Sequence, residues 1–99
     1  KKKTCKGFTK MKILHLNLYK KYFSQIVEGT KTIEYRKKTD YWKKRIENRE
    51  YDYIQFRNGY AKVAPTMLVE YNGYEVGFNG IGEEYRIKIG KIVEVNNYE

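Results

Sequence analysis

Two cations and one carboxylate lie close together in the stretch 29–36, whose sequence is GTKTIEYR. Because side chains alternate between the two faces of a strand, Thr32, Glu34 and Arg36 are expected on one face. Lys31 has the other parity and reaches Glu34 only if the chain is still turning after the glycine, a residue well suited to ending a helix. A cation, an anion and a second cation would then line one short edge.

Such a set of side chains supports three kinds of role. In catalysis, Lys31 would act as base or nucleophile, and Glu34 would carry a proton or orient a water molecule. In ligand binding, the predicted contacts come from this stretch and from the helix after it: Lys31, Glu34, Arg36, Thr32, Trp42, Lys43 and Arg45. In the third role, Glu34 and Arg36 form a structural ion pair at the edge of a sheet. The residue types alone leave these roles open.

A strand and a helix precede this stretch and must position it. Residues 11–18 alternate between leucines and other residues, which predicts a half-buried strand. Residues 19–28 carry apolar side chains at helical spacing, and Asn17 can cap the helix that they predict. A short strand over residues 32–36 is expected to follow.

A second short helix is predicted over residues 41–49, with Thr39 or Asp40 as its cap. Trp42 shares a face with the apolar residue four positions further on, so the two side chains are expected to pack together. The cationic run 43–45 either contacts phosphates at the rim of a cleft or forms a solvated helix face.

From residue 50 onward the sequence is rich in strand signals. Two Asn-Gly dipeptides, at 58–59 and 72–73, predict hairpin turns. Residues 60–63 predict a strand that Pro65 interrupts, and alternation resumes from residue 67. The predicted fold class is α+β and mainly β. Because closure removes exposed edges, we expect a small barrel of about six strands with two helices beside it.

Charge is unevenly distributed along the chain. Residues 1–45 hold 15 Lys and Arg against 3 Asp and Glu, whereas residues 46–99 hold 6 against 9. The net charge of +9 and the eleven tyrosines favour a polyanionic partner, because aromatic rings beside cations stack on bases. Composition therefore favours contact with a nucleic acid over no such contact. Residues 1–10 predict a flexible basic arm, and residues 11–99 predict a single domain.

Other functions lack the residues that they require. The single cysteine, Cys5, allows no internal disulfide, and no apolar run reaches the roughly 18 residues of a membrane span. No signal peptide is predicted, so we expect a cytoplasmic protein, with its oligomeric state left open. Without a glycine-rich nucleotide loop, an HExxH motif or Cys/His pairs at metal spacing, no metal or other cofactor is predicted. His15 is expected to be a surface or structural residue unless it faces Lys31.

Residues 14–36 resemble the opening of the ASCH domain family, which belongs to the PUA-like superfamily. The sequence motif of that family is G-x-K-x-x-E-x-R, and this chain matches all four defined positions of the motif. The matching residues are Gly29, Lys31, Glu34 and Arg36. The motif follows a predicted strand and amphipathic helix, and residues 41–60 are similar to small stand-alone ASCH proteins of bacteria and phages.

The resemblance implies a PUA-like barrel with a cleft between barrel and helices, and a role in RNA metabolism with RNA or a nucleoside as ligand. Some relatives remove the acetyl group from N4-acetylcytidine, and some are reported to cut RNA. In the amidohydrolases the lysine of the motif is catalytic, which corresponds to Lys31. Their next functional position is a threonine, where this chain has Glu34. The functions to be weighed are therefore an RNA-binding module and a small hydrolase, either an amidohydrolase or a ribonuclease, that uses Lys31 and Glu34.

Overall fold

The computed structural model describes residues 11–98, and the predicted arm over residues 1–10 lies outside them. The elements follow in the order β1 (Ile13–Leu18), α1 (Lys20–Glu28), β2 (Ile33–Lys37), α2 (Asp40–Ile46), β3 (Tyr53–Asn58), β4 (Thr66–Phe78) and β5 (Glu83–Asn96). The predicted α+β, mainly β class is confirmed. In this described part of the chain, neither helix is long and apolar enough to cross a membrane.

The strands form one sheet in the order β1-β3-β4-β5-β2. β1 pairs with β3 in parallel, and the other three pairings are antiparallel. β1 and β2 are the two edges and do not pair with each other, so the predicted closure into a six-stranded barrel is wrong.

One apolar core holds the sheet and the helices together. Its buried members are Leu14, Leu16, Leu18, Phe23, Ile26, Ile46, Ile54, Phe56, Met67, Val69, Tyr85 and Ile87. The three leucines of β1 confirm the predicted alternation of that strand. Phe23 and Ile26 come from α1, and Ile46 comes from α2. The helices therefore cover the apolar face of the open sheet, so this face is buried without closure into a barrel.

The second Asn-Gly dipeptide lies inside β4 rather than at a turn. Gly73 has a φ angle of 90°, and the pairing of β4 with β5 shifts its register between Leu68 and Tyr74. A bulge of this kind bends a strand and increases its twist without ending it. Asn-Gly suits a bulge as well as a hairpin, because glycine adopts positive φ at little cost. Two predicted strands are therefore one strand, β4.

The first Asn-Gly dipeptide follows a strand, as predicted, but opens a longer loop than a two-residue turn. The loop covers residues 59–65 between β3 and β4. Asn58 N donates to Pro65 O at 3.0 Å, which holds the two ends of the loop together. The strand predicted over residues 60–63 is therefore wrong, since these residues belong to the loop.

The helix ends follow local capping rules with one exception. Gly29 takes the left-handed conformation with a φ of 85° and ends α1, as predicted. Thr39 caps α2, because its hydroxyl accepts from Trp42 N at 3.3 Å. Asn17 does not cap α1, since it is still paired within β1, and Tyr19 occupies the cap position without a side-chain hydrogen bond. α2 also ends three residues earlier than predicted.

Candidate functional site

Lys31, Glu34 and Arg36 meet at the start of β2 and are called the Lys-Glu-Arg cluster below. Glu34 is almost fully buried, and its Oε2 accepts from Arg36 Nε and Nη2 at 2.8 and 2.7 Å. Lys31 Nζ lies 3.3 Å from Oε1 of the same carboxylate. Burial of a carboxylate is costly unless it is paired, and the two cations offset that cost. The three formal charges sum to one net positive charge.

The chain turns after α1 in a way that brings Lys31 to the side of Glu34. Gln25 O accepts from the backbone N of both Thr30 and Lys31, at 2.9 and 3.1 Å. Lys31 Nζ then donates to Ile33 O at 2.7 Å. The condition stated from the sequence is therefore met, because the turn overrides the strand parity that would have kept Lys31 away from Glu34.

Arg36 also connects the two edges of the sheet. The residue belongs to β2, and its Nη2 donates to Asn17 O of β1 at 2.8 Å. The backbones of these two strands are not paired in the described sheet. Arg36 therefore bridges the gap between the edge strands with its side chain, which agrees with the structural role considered for the pair of Glu34 and Arg36.

A groove with a volume of about 560 Å³ opens beside the Lys-Glu-Arg cluster. Its walls come from the end of β1, the start of α1, β2 and the loop after β3. Four solvent-exposed tyrosines line it: Tyr19, Tyr22, Tyr35 and Tyr60. Three cations line it as well: Lys20, Arg36 and Lys37. The groove therefore combines aromatic rings with positive charge around the buried Glu34 carboxylate.

Sequence reasoning named Glu34 and Arg36 among the lining residues and missed the tyrosines. The tyrosines belong to separate segments, and the parallel pairing of β1 with β3 brings two of them, Tyr19 and Tyr60, to one end of the sheet. Leu18 lies opposite Asn58 in that pairing, and Asn58 Nδ2 donates to Leu18 O at 3.0 Å. The sequence signalled the loop after Asn58, but nothing local in it indicated which strand would lie beside that loop.

Two of the groove tyrosines also flank Lys31. Its Nζ lies 5.4 Å from the ring centroid of Tyr22 and 5.2 Å from that of Tyr35, within the range of cation–π attraction. Lys31 is not itself among the lining residues, so it meets the groove through these two rings and through Glu34.

The other predicted ligand contacts lie outside the groove. Trp42 packs on the cluster, with Arg36 Cζ 4.9 Å from its ring centroid. Lys43 and Arg45 are exposed on α2, and Thr32 is exposed just before β2. The structure therefore joins Trp42 to the cluster and places Thr32, Lys43 and Arg45 away from the groove walls.

A buried tyrosine fixes α2 beside the cluster. Tyr85 of β5 is fully buried, and its hydroxyl donates to Oε2 of Glu47, the residue that ends α2, at 2.6 Å. Burial, with the hydrogen bond to Glu47, raises the pKa of Tyr85 well above its ordinary value. The hydroxyl therefore stays protonated at neutral pH and remains a donor to α2.

His15 lies away from the Lys-Glu-Arg cluster. It is exposed on β1 and lines a small cavity with Gln55, Arg57 and Thr66. The condition under which it would serve as a proton carrier is therefore not met. Within residues 11–98, no three His, Cys, Asp or Glu side chains are grouped so that they could hold a metal ion.

Comparison with known families agrees with the motif. Residues 16–50, which hold the whole Lys-Glu-Arg cluster and α2, match the family model described as the ASCH domain. The match supports assigning this chain to the ASCH domain family, and the resemblance stated from the sequence is confirmed. Searches of curated proteins and of solved structures returned no match.

Proposed function

We propose that this protein is an RNA-binding module whose groove takes a nucleotide or an RNA end, with a role in RNA metabolism. The observation that carries the proposal is the set of four exposed tyrosines and three cations around one groove. An exposed tyrosine adds little to folding, whereas its ring provides a stacking surface for a base. The match to the ASCH domain supports the same function, since the resemblance stated from the sequence implies a role in RNA metabolism.

The chemistry of the groove suits each part of a nucleotide. A base would stack on one of the exposed rings, while Lys20 or Lys37 would meet a phosphate. Arg36 is already bonded to Glu34 and Asn17, so we assign it to shaping the groove as well as to attracting an anion. Binding would weaken as salt rises, because phosphate contacts release counterions.

Fluorescence titration of a labelled single-stranded hexanucleotide at several salt concentrations tests the proposal. Lys37→Ala should weaken binding and reduce the slope of log affinity against log salt by about 1. Lys91→Ala removes an exposed charge from β5 without touching the groove, and serves as the matched control. Tyr60→Ala should weaken binding about tenfold through lost stacking. Equal behaviour of Lys37→Ala, Tyr60→Ala and the control would overturn the proposal.

A small hydrolase is the second candidate, favoured by the approach of Lys31 Nζ to Glu34 Oε1 at 3.3 Å. In this function Lys31 and Glu34 would act on a modified nucleoside such as N4-acetylcytidine, or on RNA itself. The test is incubation with each substrate followed by mass analysis. Conversion by the wild type and not by Lys31→Ala would make Lys31 catalytic. Retained RNA binding without any conversion would leave the binding module, with Lys31 and Glu34 as parts of its groove.

A further inference from the structure

A ladder of alternating cations and aromatic rings leads from the groove onto the outer surface of α2. Arg36 Cζ lies 4.9 Å from the ring centroid of Trp42, and the rings of Trp42 and Tyr41 are 4.8 Å apart at an angle of 82°. Arg45 Cζ lies 3.6 Å from the ring centroid of Tyr41. These four residues, Arg36, Trp42, Tyr41 and Arg45, are called the cation–aromatic ladder.

Both ends of the ladder are held in place. Glu34 and Asn17 O fix the guanidinium of Arg36, with contacts of 2.7 and 2.8 Å. Arg45 Nη1 donates to Tyr41 O at 2.9 Å, so the second guanidinium stays over the ring. Side chains that are ordered before binding lose less conformational entropy when a ligand arrives.

The outer half of the ladder contributes little to the core. Tyr41 is 56% exposed, and Arg45 is exposed with Lys43 and Lys44 beside it in sequence on α2. Trp42 is half-buried and packs against the core, so its position is explained by folding. Folding gives no such reason for the position of Tyr41, because its ring lies in solvent, under the guanidinium of Arg45, in a cationic turn of the helix. Proteins bind single-stranded nucleic acids by stacking bases on aromatic and guanidinium planes and by placing cations near the phosphates.

We propose that the ligand is a single-stranded RNA segment rather than a free nucleotide, and that the cation–aromatic ladder binds the nucleotides next to the one in the groove. This inference rests on the proposed function and names its substrate class. A base would stack on Tyr41 or on the outer plane of Arg45, and Lys43 and Lys44 would meet the phosphates. The ladder begins at Arg36, which lines the groove, so the two surfaces meet at this residue.

The experiment compares three ligands: uridine monophosphate, a hexauridylate and an abasic hexamer of the same length. The wild type should bind the hexauridylate at least about tenfold more tightly than the mononucleotide or the abasic strand, since each stacked base adds affinity. Tyr41→Ala and Arg45→Ala should each weaken hexauridylate binding about tenfold and leave mononucleotide binding unchanged. Tyr41→Phe keeps the ring and should behave as wild type, and Lys91→Ala controls for lost charge.

The remaining outcomes separate the ladder from the groove. If Tyr60→Ala weakens mononucleotide binding while Tyr41→Ala and Arg45→Ala match Lys91→Ala on the hexauridylate, the ladder is overturned and the groove stands. If the abasic strand binds as tightly as the hexauridylate, α2 is an unselective anion surface and the inference fails. The same conclusion follows if a polyglutamate peptide displaces the abasic strand and the hexauridylate equally well. If the wild type binds none of the ligands, the ladder and the proposed function both fall. Circular dichroism of each variant confirms that α2 is retained.

Discussion

The tripeptide Glu-Tyr-Arg occurs twice in this chain, at 34–36 and at 84–86. The two copies lie side by side, because β2 and β5 are antiparallel neighbours with Tyr35 opposite Arg86 and Arg36 opposite Tyr85. Residues opposite each other in an antiparallel pair project to the same face of the sheet. Equivalent residues of the two copies therefore project to opposite faces of the sheet. The middle tyrosine is fully buried in the second copy and exposed in the first.

Both copies make the same internal ion pair. Arg36 Nε donates to Glu34 at 2.8 Å, and Arg86 Nε donates to Glu84 at 3.0 Å. Both glutamates are buried. A Glu-x-Arg pair on a strand is thus a recurrent local arrangement in this molecule, and by itself it indicates no function.

The surroundings separate the two copies. Glu84 takes its further hydrogen bond from Asn79 Nδ2 at 3.3 Å, and Asn79 organises the turn between β4 and β5. Glu34 instead takes Lys31 as a second cation, and its arginine reaches another strand and the Trp42 ring. The first copy gains its candidate function from residues of other elements, while the second copy anchors its own hairpin.

Replacing each glutamate should give the largest contrast. Glu34→Gln leaves Lys31 and Arg36 without their carboxylate in a poorly hydrated site, and should lower the free energy of unfolding by about 3 kcal/mol. Glu84→Gln should cost only about 1 kcal/mol, because the Arg86 side chain is 37% exposed and water can solvate it. Urea denaturation measures both. Equal losses would mean that the second cation of the first copy adds nothing to the pairing.

Replacing each arginine by lysine should give the next contrast. Arg36→Lys loses the fork that bonds Glu34 and Asn17 O together, and should cost about 2 kcal/mol of stability. It should also weaken RNA binding. Arg86→Lys should cost about 0.5 kcal/mol and leave RNA binding as in the wild type. An effect of Arg86→Lys on RNA affinity would contradict the division of roles between the copies.

Replacing each middle tyrosine by phenylalanine tests the difference in burial. Tyr85→Phe removes the hydrogen bond to Glu47 and should cost about 1 kcal/mol, whereas Tyr35→Phe should cost nothing measurable. Thermal unfolding at neutral pH reads both variants. A larger loss in Tyr35→Phe would show that the Tyr35 hydroxyl has a stabilising partner.

Alkaline pH extends the test of Tyr85. Because burial raises the pKa of Tyr85 in the folded protein, the unfolded chain loses this proton first as pH rises above about 10. The contribution to stability is therefore fully present below pH 10 and declines above it. Urea midpoints between about pH 9 and 11 should fall more steeply for the wild type than for Tyr85→Phe. Parallel curves would contradict the assigned burial effect.

Gly77→Ala should have a small effect and touches the second copy alone. A Cβ at Gly77 would lie 2.4 Å from Arg86 Cζ, so the flexible guanidinium has to move away. The expected cost is about 0.5 kcal/mol, the typical value of a partly exposed ion pair, with RNA binding unchanged. Urea denaturation and the hexanucleotide titration check the two parts. A loss above that of Glu84→Gln would place strain in the backbone of β4 instead.

Local features of this fold were predictable from sequence, and pairings between distant segments were not. The strand β1, the end of α1 at Gly29, the Thr39 cap and the contact of Lys31 with Glu34 each depend on a few neighbouring residues. The hairpin turn predicted at residues 72–73 was wrong because the same dipeptide favours a turn and a bulge alike. Tyr60 reaches the groove because β1 lies beside β3, a contact across about forty residues that no local pattern encodes.

The bridge from Arg36 to Asn17 O has a consequence for the anion binding proposed for the groove. A guanidinium has a limited number of donors, so a phosphate that takes the Nη2 donor competes with the backbone carbonyl of β1. The affinity of the phosphate for Arg36 and the release of Asn17 O from Arg36 are then parts of the same equilibrium. A phosphate that displaced Asn17 O from Arg36 would remove the contact between the two edge strands, and faster exchange of amide protons at the end of β1 would report that loss. The molecule would accept a polyanion by loosening an edge of its own sheet.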